Sequence, residues 1–151
     1  GGISMKTINK LVLLEGNEVV LSKEEAIKKL ADKLEEAGFL TSCNEFLESV
    51  YLREEIAPTT VGYGIGLPHG KGSCVKESVV AFMRVKNPIL WNIQDDEKVK
   101  IVFMLAVSEE EGKGTHNDIL VELSKKILDS NFRNRIENSS SIEEIVKLIN
   151  E

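Results

Sequence analysis

Cysteine and histidine are scarce in this sequence, with two residues of each among 151. Two thiols are too few for the disulfide framework of a small secreted domain, so Cys43 and Cys74 are expected to be reduced. Long apolar runs and a secretory leader are also absent, since no run approaches the roughly 20 residues that span a bilayer. These absences predict a cytoplasmic protein that does not insert into the membrane.

Long blocks of one charge are missing as well. The 19 basic and 25 acidic residues give a formal net charge of -6 and are dispersed along the chain. A nucleic-acid-binding arm or a polybasic membrane patch would concentrate positive charge, so neither is expected. The length suits one domain. Gly1–Ser4 resemble a cloning remnant, and the domain is expected to span residues 5–151, either starting naturally at Met5 or cut from a longer chain.

Four segments have apolar residues at helical spacing, and two of these begin with a capping box. The boxes pair Ser22 with Glu25 and Ser141 with Glu144. The first predicted helix follows Ser22 and stops at Gly38, and the second covers residues 44–54. The third starts near Thr115 or His116 and runs through Ile127, and the fourth follows Ser141 to the end of the sequence.

Two further segments, SVVAFMRV (78–85) and VKIVFMLAV (99–107), are nearly continuous apolar runs. Such runs are typical of central strands that are covered on both faces. The residues between them, KNPILWNIQDDEK, are expected to form a turn-rich connection with Trp91 partly exposed. The order of elements predicts a single α/β domain in which a mixed sheet has helices on both faces.

The segment APTTVGYGIGLPHGKG (57–72) is rich in glycine and proline, and it is predicted to be a functional loop. It does not fit a dinucleotide fingerprint, because Leu67 and His69 stand where the third glycine is required. It does not fit a phosphate-binding loop either, because Ile65 and Gly72 replace the required glycine and hydroxyl. We interpret the small neighbours of His69 as leaving the imidazole accessible to another protein; the alternative is a structural histidine in an ordinary turn.

A zinc site is a further alternative, because the two histidines and two cysteines could nominally supply four ligands. Their spacings do not match paired C-x-x-C or H-x-x-x-H ligand groups. No metal and no cofactor is therefore expected.

Residues 53–71, REEIAPTTVGYGIGLPHGK, resemble the active-site stretch of the enzyme IIA domains of the fructose/mannitol type in the bacterial phosphoenolpyruvate-dependent sugar phosphotransferase system. Residues 115–132 are similar to that family's second-histidine helix, and SIEEIVKLIN to its closing helix; the resemblance covers nearly all of residues 8–150. It implies that His69 accepts a phosphoryl group from the histidine-containing phosphocarrier protein and passes it to a cysteine of a IIB domain. The group then reaches a sugar, with fructose favoured, at a membrane permease with which this chain associates only indirectly.

The resemblance also assigns the residues around the phosphoryl group. Arg53 and His116 match the flanking positions. Apart from the resemblance, Thr59 and Thr115 could add hydroxyl donors and Gly70 could support the phosphoryl group; the alternative for both threonines is ordinary turn or cap duty. Arg53 offers a planar fork of donors that suits phosphoryl oxygens, and His116 lies near a helix start, where anions are favoured. The alternatives are an Arg53 paired with the glutamates that follow it, and a His116 that is a polar helix-end residue.

Four positions depart from the family pattern, and they put partner preference in doubt: Tyr63, Gly66, Asn117 and Asp118. Two other functions stay open. One is a regulatory protein that signals by its phosphorylation state and transports no sugar. The other is an interaction domain that has lost phosphorylation, against which the joint presence of Arg53, His69 and His116 argues.

Overall fold

Two long antiparallel strands form the centre of the fold. The structure is a computed structural model that describes residues 5–16, 19–111 and 114–151, and for residues 115 and 116 only the backbone. The expected cloning remnant, Gly1–Ser4, lies outside the described residues. The strands are β1 (Val12–Leu13), β2 (Ile65–Gly66), β3 (His69–Gly72), β4 (Val79–Asn92) and β5 (Glu97–Ser108).

The sheet is mixed. The strand order is β1-β4-β5-β2, and β3 also pairs with β5. β4 and β5 are antiparallel, with Phe82 opposite Phe103, whereas β1 runs parallel to β4 and both β2 and β3 run parallel to β5. β5 therefore carries the two short strands of the glycine-rich segment on one edge.

Helices cover both faces of this sheet, which confirms the predicted fold class. They are α1 (Lys23–Glu36), α2 (Cys43–Ile56), α3 (Thr115–Leu128), α4 (Ser130–Asn138) and α5 (Ile142–Asn150). Because side chains alternate along a strand, Met83 and Met104 face α1 and α2, whereas Phe82 and Phe103 face α3, α4 and α5. Each face has its own fully buried cluster.

The predicted helix starts are confirmed by their caps. The Ser22 hydroxyl accepts the Glu25 N–H at 3.1 Å, and the Ser141 hydroxyl accepts the Glu144 N–H at 3.1 Å. Gly38, with φ of 86°, follows the end of α1 as predicted. One helix was not foreseen: α4 begins after Asp129, whose carboxylate accepts the Asn131 N–H at 2.9 Å.

Two predictions about irregular segments are wrong. Residues 86–92 are not a turn-rich connection but the second half of β4, and Trp91 is only 2% exposed. The pairing of β4 with β5 shifts in register between Arg84 and Ile89 and continues beyond the polar residues in between. This shift places the side chains of Ile89 and Trp91 in the core beneath α1 and α2. The segment 57–72 is likewise not all loop, since it contains β2 and β3.

Both cysteines are buried and unbridged. Burial raises the pKa of the Cys43 and Cys74 thiols, which makes a reactive thiolate unfavourable at either position. Among the helices that the structure describes, none is long and apolar enough to cross a bilayer.

Candidate functional site

His69 is the first residue of β3, opposite Leu105 of β5. Its Nδ1 lies 2.8 Å from the Leu67 carbonyl oxygen. A carbonyl oxygen can only accept a hydrogen bond, so Nδ1 carries the proton and Nε2 has the lone pair in the neutral ring. Burial lowers the pKa of His69 below 6.5, and the positive charge of Arg53 acts in the same direction. The imidazole is therefore neutral at neutral pH.

The expectation that small neighbours leave this ring open is wrong, because His69 is 7% exposed. Two of the glycines instead make room for the protein's own core. A Cβ on Gly70 would lie 2.8 Å from the Phe46 ring and 2.9 Å from a Val50 methyl, and one on Gly66 would lie 3.1 Å from the Trp91 indole. The missing bulk thus lets β3 and β2 pack closely against α2 and Trp91.

Arg53 lies in the last turn of α2, the helix that packs on β3 beside His69. Its Nη1 donates to the Ala57 carbonyl oxygen at 3.1 Å. The alternative pairing with Glu54 does not occur, because the Glu54 carboxylate is bound by Lys23 and Thr59. Within residues 5–16, 19–111 and 114–151, Arg53 has no ion pair, so no described carboxylate neutralises its guanidinium.

Thr59 is buried and is held by Glu54. Its N–H donates to Glu54 Oε2 at 3.2 Å, and its hydroxyl donates to Glu54 Oε1. Lys23 Nζ lies 2.7 Å from the same Oε2 and also donates to the Trp91 carbonyl at 3.3 Å. The Thr59 hydroxyl, which was expected as a possible donor to a phosphoryl group, is therefore engaged by a carboxylate in this structure.

The sequence analysis missed this buried Lys23–Glu54 pair. Glu54 stands next to Arg53 in the same helical turn, and that adjacency was the one local signal for it. Nothing local marks Lys23, because it is brought to the site by the packing of α1 on α2.

The remaining predicted site residues lie on two elements. Gly70 follows His69 in β3 and pairs with Ala106. Thr115 and His116 form the first turn of α3, which begins after Gly114; their side chains lie outside the described part of the structure. Among the side chains that the structure describes, no three histidine, cysteine, aspartate or glutamate groups converge as metal ligands would.

The structure is thus an α/β fold in which a histidine on a short strand lies within electrostatic reach of a helix-end arginine. The chain matches the model of the family "Phosphoenolpyruvate-dependent sugar phosphotransferase system, EIIA 2" over residues 8–151. It belongs to this family of phosphotransferases, which confirms the resemblance found in the sequence.

Curated relatives carry sugar-transport names. The chain is 34% identical over 137 residues to the fructose-specific EIIA component of Haloferax volcanii, covering 91% of this chain and 88% of the relative. It is also 34% identical over 131 residues to the 2-O-alpha-mannosyl-D-glycerate-specific EIIABC component of Escherichia coli, covering 86% of this chain and 20% of that relative. The chain thus spans a fifth of one relative and most of the other.

Solved structures share the fold. The nitrogen regulatory protein IIA-Ntr of Neisseria meningitidis superposes with a TM-score of 0.82 at 26% identity, covering 94% of each chain. The IIA domain in the complex of IIA and phosphorylated IIB mannitol enzymes of Escherichia coli gives a TM-score of 0.80 at 22% identity, covering 96% of this chain and 97% of that one. The latter likeness speaks for the fold alone.

Proposed function

We propose that this protein carries a phosphoryl group on His69, from the histidine-containing phosphocarrier protein to a cysteine of a IIB domain, in coupled sugar uptake and phosphorylation. One observation carries the proposal. In the family's motif, the Leu67 carbonyl holds Nδ1 of a buried, neutral imidazole at 2.8 Å and so leaves the lone pair on Nε2. A neutral imidazole is a competent nucleophile, and the phosphoramidate it forms passes the group on.

The two transfers are balanced displacements at phosphorus. In the first, Nε2 forms a bond to phosphorus as the donor's N–P bond breaks and the electron pair returns to the donor's imidazole. In the second, a IIB thiolate forms a P–S bond, the N–P bond to His69 breaks and the ring regains its lone pair. Nδ1 keeps its proton throughout and donates it in a hydrogen bond to the Leu67 carbonyl oxygen.

Phosphoryl transfer requires in-line positioning of the reacting groups and positive charge around the phosphoryl oxygens. Arg53 supplies that charge from the end of α2, with a fork of donors that two oxygens accept. We assign His116, Thr115 and the Gly70 backbone to supporting contacts with the same group. Because His69 as a whole residue is 7% exposed, we expect a docking partner to displace part of its cover for transfer to occur.

Sugar uptake is favoured over pure signalling by the degree of similarity. The relatives with fructose-specific and fructose-like names are 34% and 31% identical, whereas the regulatory structure is 26% identical. Fructose is the sugar we propose, because fructose names recur among these relatives, while one relative of equal identity is named for 2-O-alpha-mannosyl-D-glycerate. The IIB partner is supported by the IIA fold's occurrence in a complex with phosphorylated IIB.

A labelling experiment tests the assignment. Phosphoenolpyruvate, the system's first enzyme and the phosphocarrier are incubated with this protein, and we expect one acid-labile, base-stable phosphate per chain. His69→Gln should abolish the label, whereas His116→Ala, which alters the other histidine, should keep part of it while turnover falls. Undiminished labelling of the His69 variant would overturn the assignment. Fructose phosphorylation in the presence of the IIB and permease components tests the transport role, and its absence with intact labelling would favour signalling.

A further inference from the structure

A continuous set of hydrogen bonds leads from α1 to the imidazole of His69. Lys23, the first residue of α1, pairs with Glu54 in the last turn of α2 at 2.7 Å. Glu54 holds both the N–H and the hydroxyl of Thr59. The Thr59 carbonyl accepts the Leu67 N–H at 2.7 Å, and the Leu67 carbonyl holds His69 Nδ1 at 2.8 Å.

The Glu54 carboxylate is deeply buried, with 6% of its side chain exposed. A buried carboxylate is costly unless charge and hydrogen bonds compensate it, and here one ammonium and two donors do so. The donors come from one loop residue, Thr59, which follows the end of α2 after two exposed residues, 57 and 58. The carboxylate therefore fixes the start of the segment that ends at His69.

We propose that Glu54 and Thr59 are positioning residues for the phosphoryl acceptor: they hold the Leu67 carbonyl where it keeps the proton on His69 Nδ1. Lys23 has a second part in this arrangement. By neutralising Glu54, it keeps that carboxylate from pairing with the adjacent Arg53, whose charge is then directed to the phosphoryl group. This inference rests on the proposed function, because it concerns the same acceptor.

The first readout is the tautomer of the unphosphorylated ring, measured by long-range ¹H–¹⁵N correlation of the His69 imidazole. The wild-type protein should show the Nδ1–H form. Glu54→Gln and Thr59→Val should both increase the Nε2–H form, because the Leu67 carbonyl loses its fixed position. Matched controls are Glu55→Gln, an exposed carboxylate in the same turn, and Thr60→Val, whose hydroxyl contacts Glu97 at 2.7 Å.

The second readout is the single-turnover rate of phosphoryl acceptance from the phosphocarrier. We expect Glu54→Gln and Thr59→Val to slow the rate at saturating donor about tenfold, because small displacements of a reacting group are costly, while the donor concentration for half-saturation stays unchanged. The two controls should keep the wild-type rate and tautomer. Lys23→Met should also slow transfer, and adding Glu54→Gln to it should cause little further loss, because the two residues act as a pair.

The outcomes separate this inference from the proposed function. A wild-type protein that takes no label on His69 overturns the proposed function, whatever the tautomer. A wild-type protein that is labelled, with Glu54→Gln and Thr59→Val matching it in rate and tautomer, overturns the positioning role alone. A slower rate with an unchanged tautomer in both variants overturns it too. If Glu54→Gln fails to fold, Thr59→Val, which replaces the hydroxyl with a methyl of similar volume, tests the positioning role by itself.

Discussion

Gly70→Ala tests whether the glycine beside His69 is required by the packing of α2. The new Cβ would lie 2.8 Å from Phe46 Cε1 and 2.9 Å from Val50 Cγ2, whereas ordinary contacts begin at 3.4 Å. Both neighbours are fully buried, so α2 must retreat by about 0.6 Å, the difference between 3.4 and 2.8 Å. Overpacking of this kind costs about 1–3 kcal/mol in the free energy of unfolding. For a domain of this size that corresponds to a Tm lowered by about 2–12 °C.

The sign of the change makes the experiment decisive. Gly70 does not have a positive φ, so alanine suits its backbone, and without the overlap the substitution would stabilise the protein by about 0.4–1 kcal/mol. Urea unfolding gives the difference. Gly72→Ala is the matched control, since its Cβ would meet the Cys74 sulfur at 3.3 Å and the Cys74 backbone nitrogen at 3.8 Å, without the overlap found at Gly70. Val50→Ala removes the one clashing methyl, so Gly70→Ala should cost less stability in a Val50→Ala background than in the wild-type protein. A Gly70→Ala protein as stable as wild type, or more so, would refute the packing argument.

Three further predictions concern titration and burial. Burial lowers the pKa of His69, so the unfolded chain takes up a proton before the folded one as the pH falls through 6.5. The free energy of unfolding should therefore drop more over that range in the wild-type protein than in His69→Gln. An NMR titration midpoint of His69 at or above 6.5 would contradict this. The hydrogen bonds from Arg84 lower the pKa of Glu15 below 4.5, so the stability that they contribute should be present above pH 4.5 and be lost as acid protonates the carboxylate of the folded protein. Glu15→Gln should lower the free energy of unfolding by about 1–3 kcal/mol at pH 7, measured by urea unfolding, and should lose less stability in acid than the wild-type protein. Trp91, the single tryptophan, should emit at short wavelength and resist iodide quenching, and efficient quenching would place it at the surface.

Most helices could be predicted because their signals are local. Ser22 and Ser141 each accept the N–H three residues on, and this contact is readable from spacing alone. α4 was missed because Asp129 ends α3 and caps α4 within one residue, so the apolar spacing shows no gap. Phe132 and Ile136, buried in α4, extend the periodicity of α3 closely enough to hide the break.

The sheet was predicted in its centre and missed at its ends. The apolar runs in β4 and β5 need no partner to be recognised as strands, whereas Trp91 enters the core only because a register shift restores pairing beyond residue 88. Likewise, β2 and β3 are two and four residues long, and their strand conformation depends on hydrogen bonds to β5 rather than on their own composition. Such long-range pairing cannot be read from a glycine-rich segment.

The same packing explains why the motif was recognised correctly and its glycines were not. Gly70 admits Phe46 and Val50 of α2 against β3, and that close approach brings the last turn of α2 near enough for the charge of Arg53 to lower the pKa of His69. A larger residue at position 70 would hold α2 away and would weaken the effect of the Arg53 charge on the pKa of His69. Burial of His69 therefore agrees with the proposed function, because it keeps the imidazole neutral, and in that proposal Arg53 supplies the cation that a transferred phosphoryl group needs.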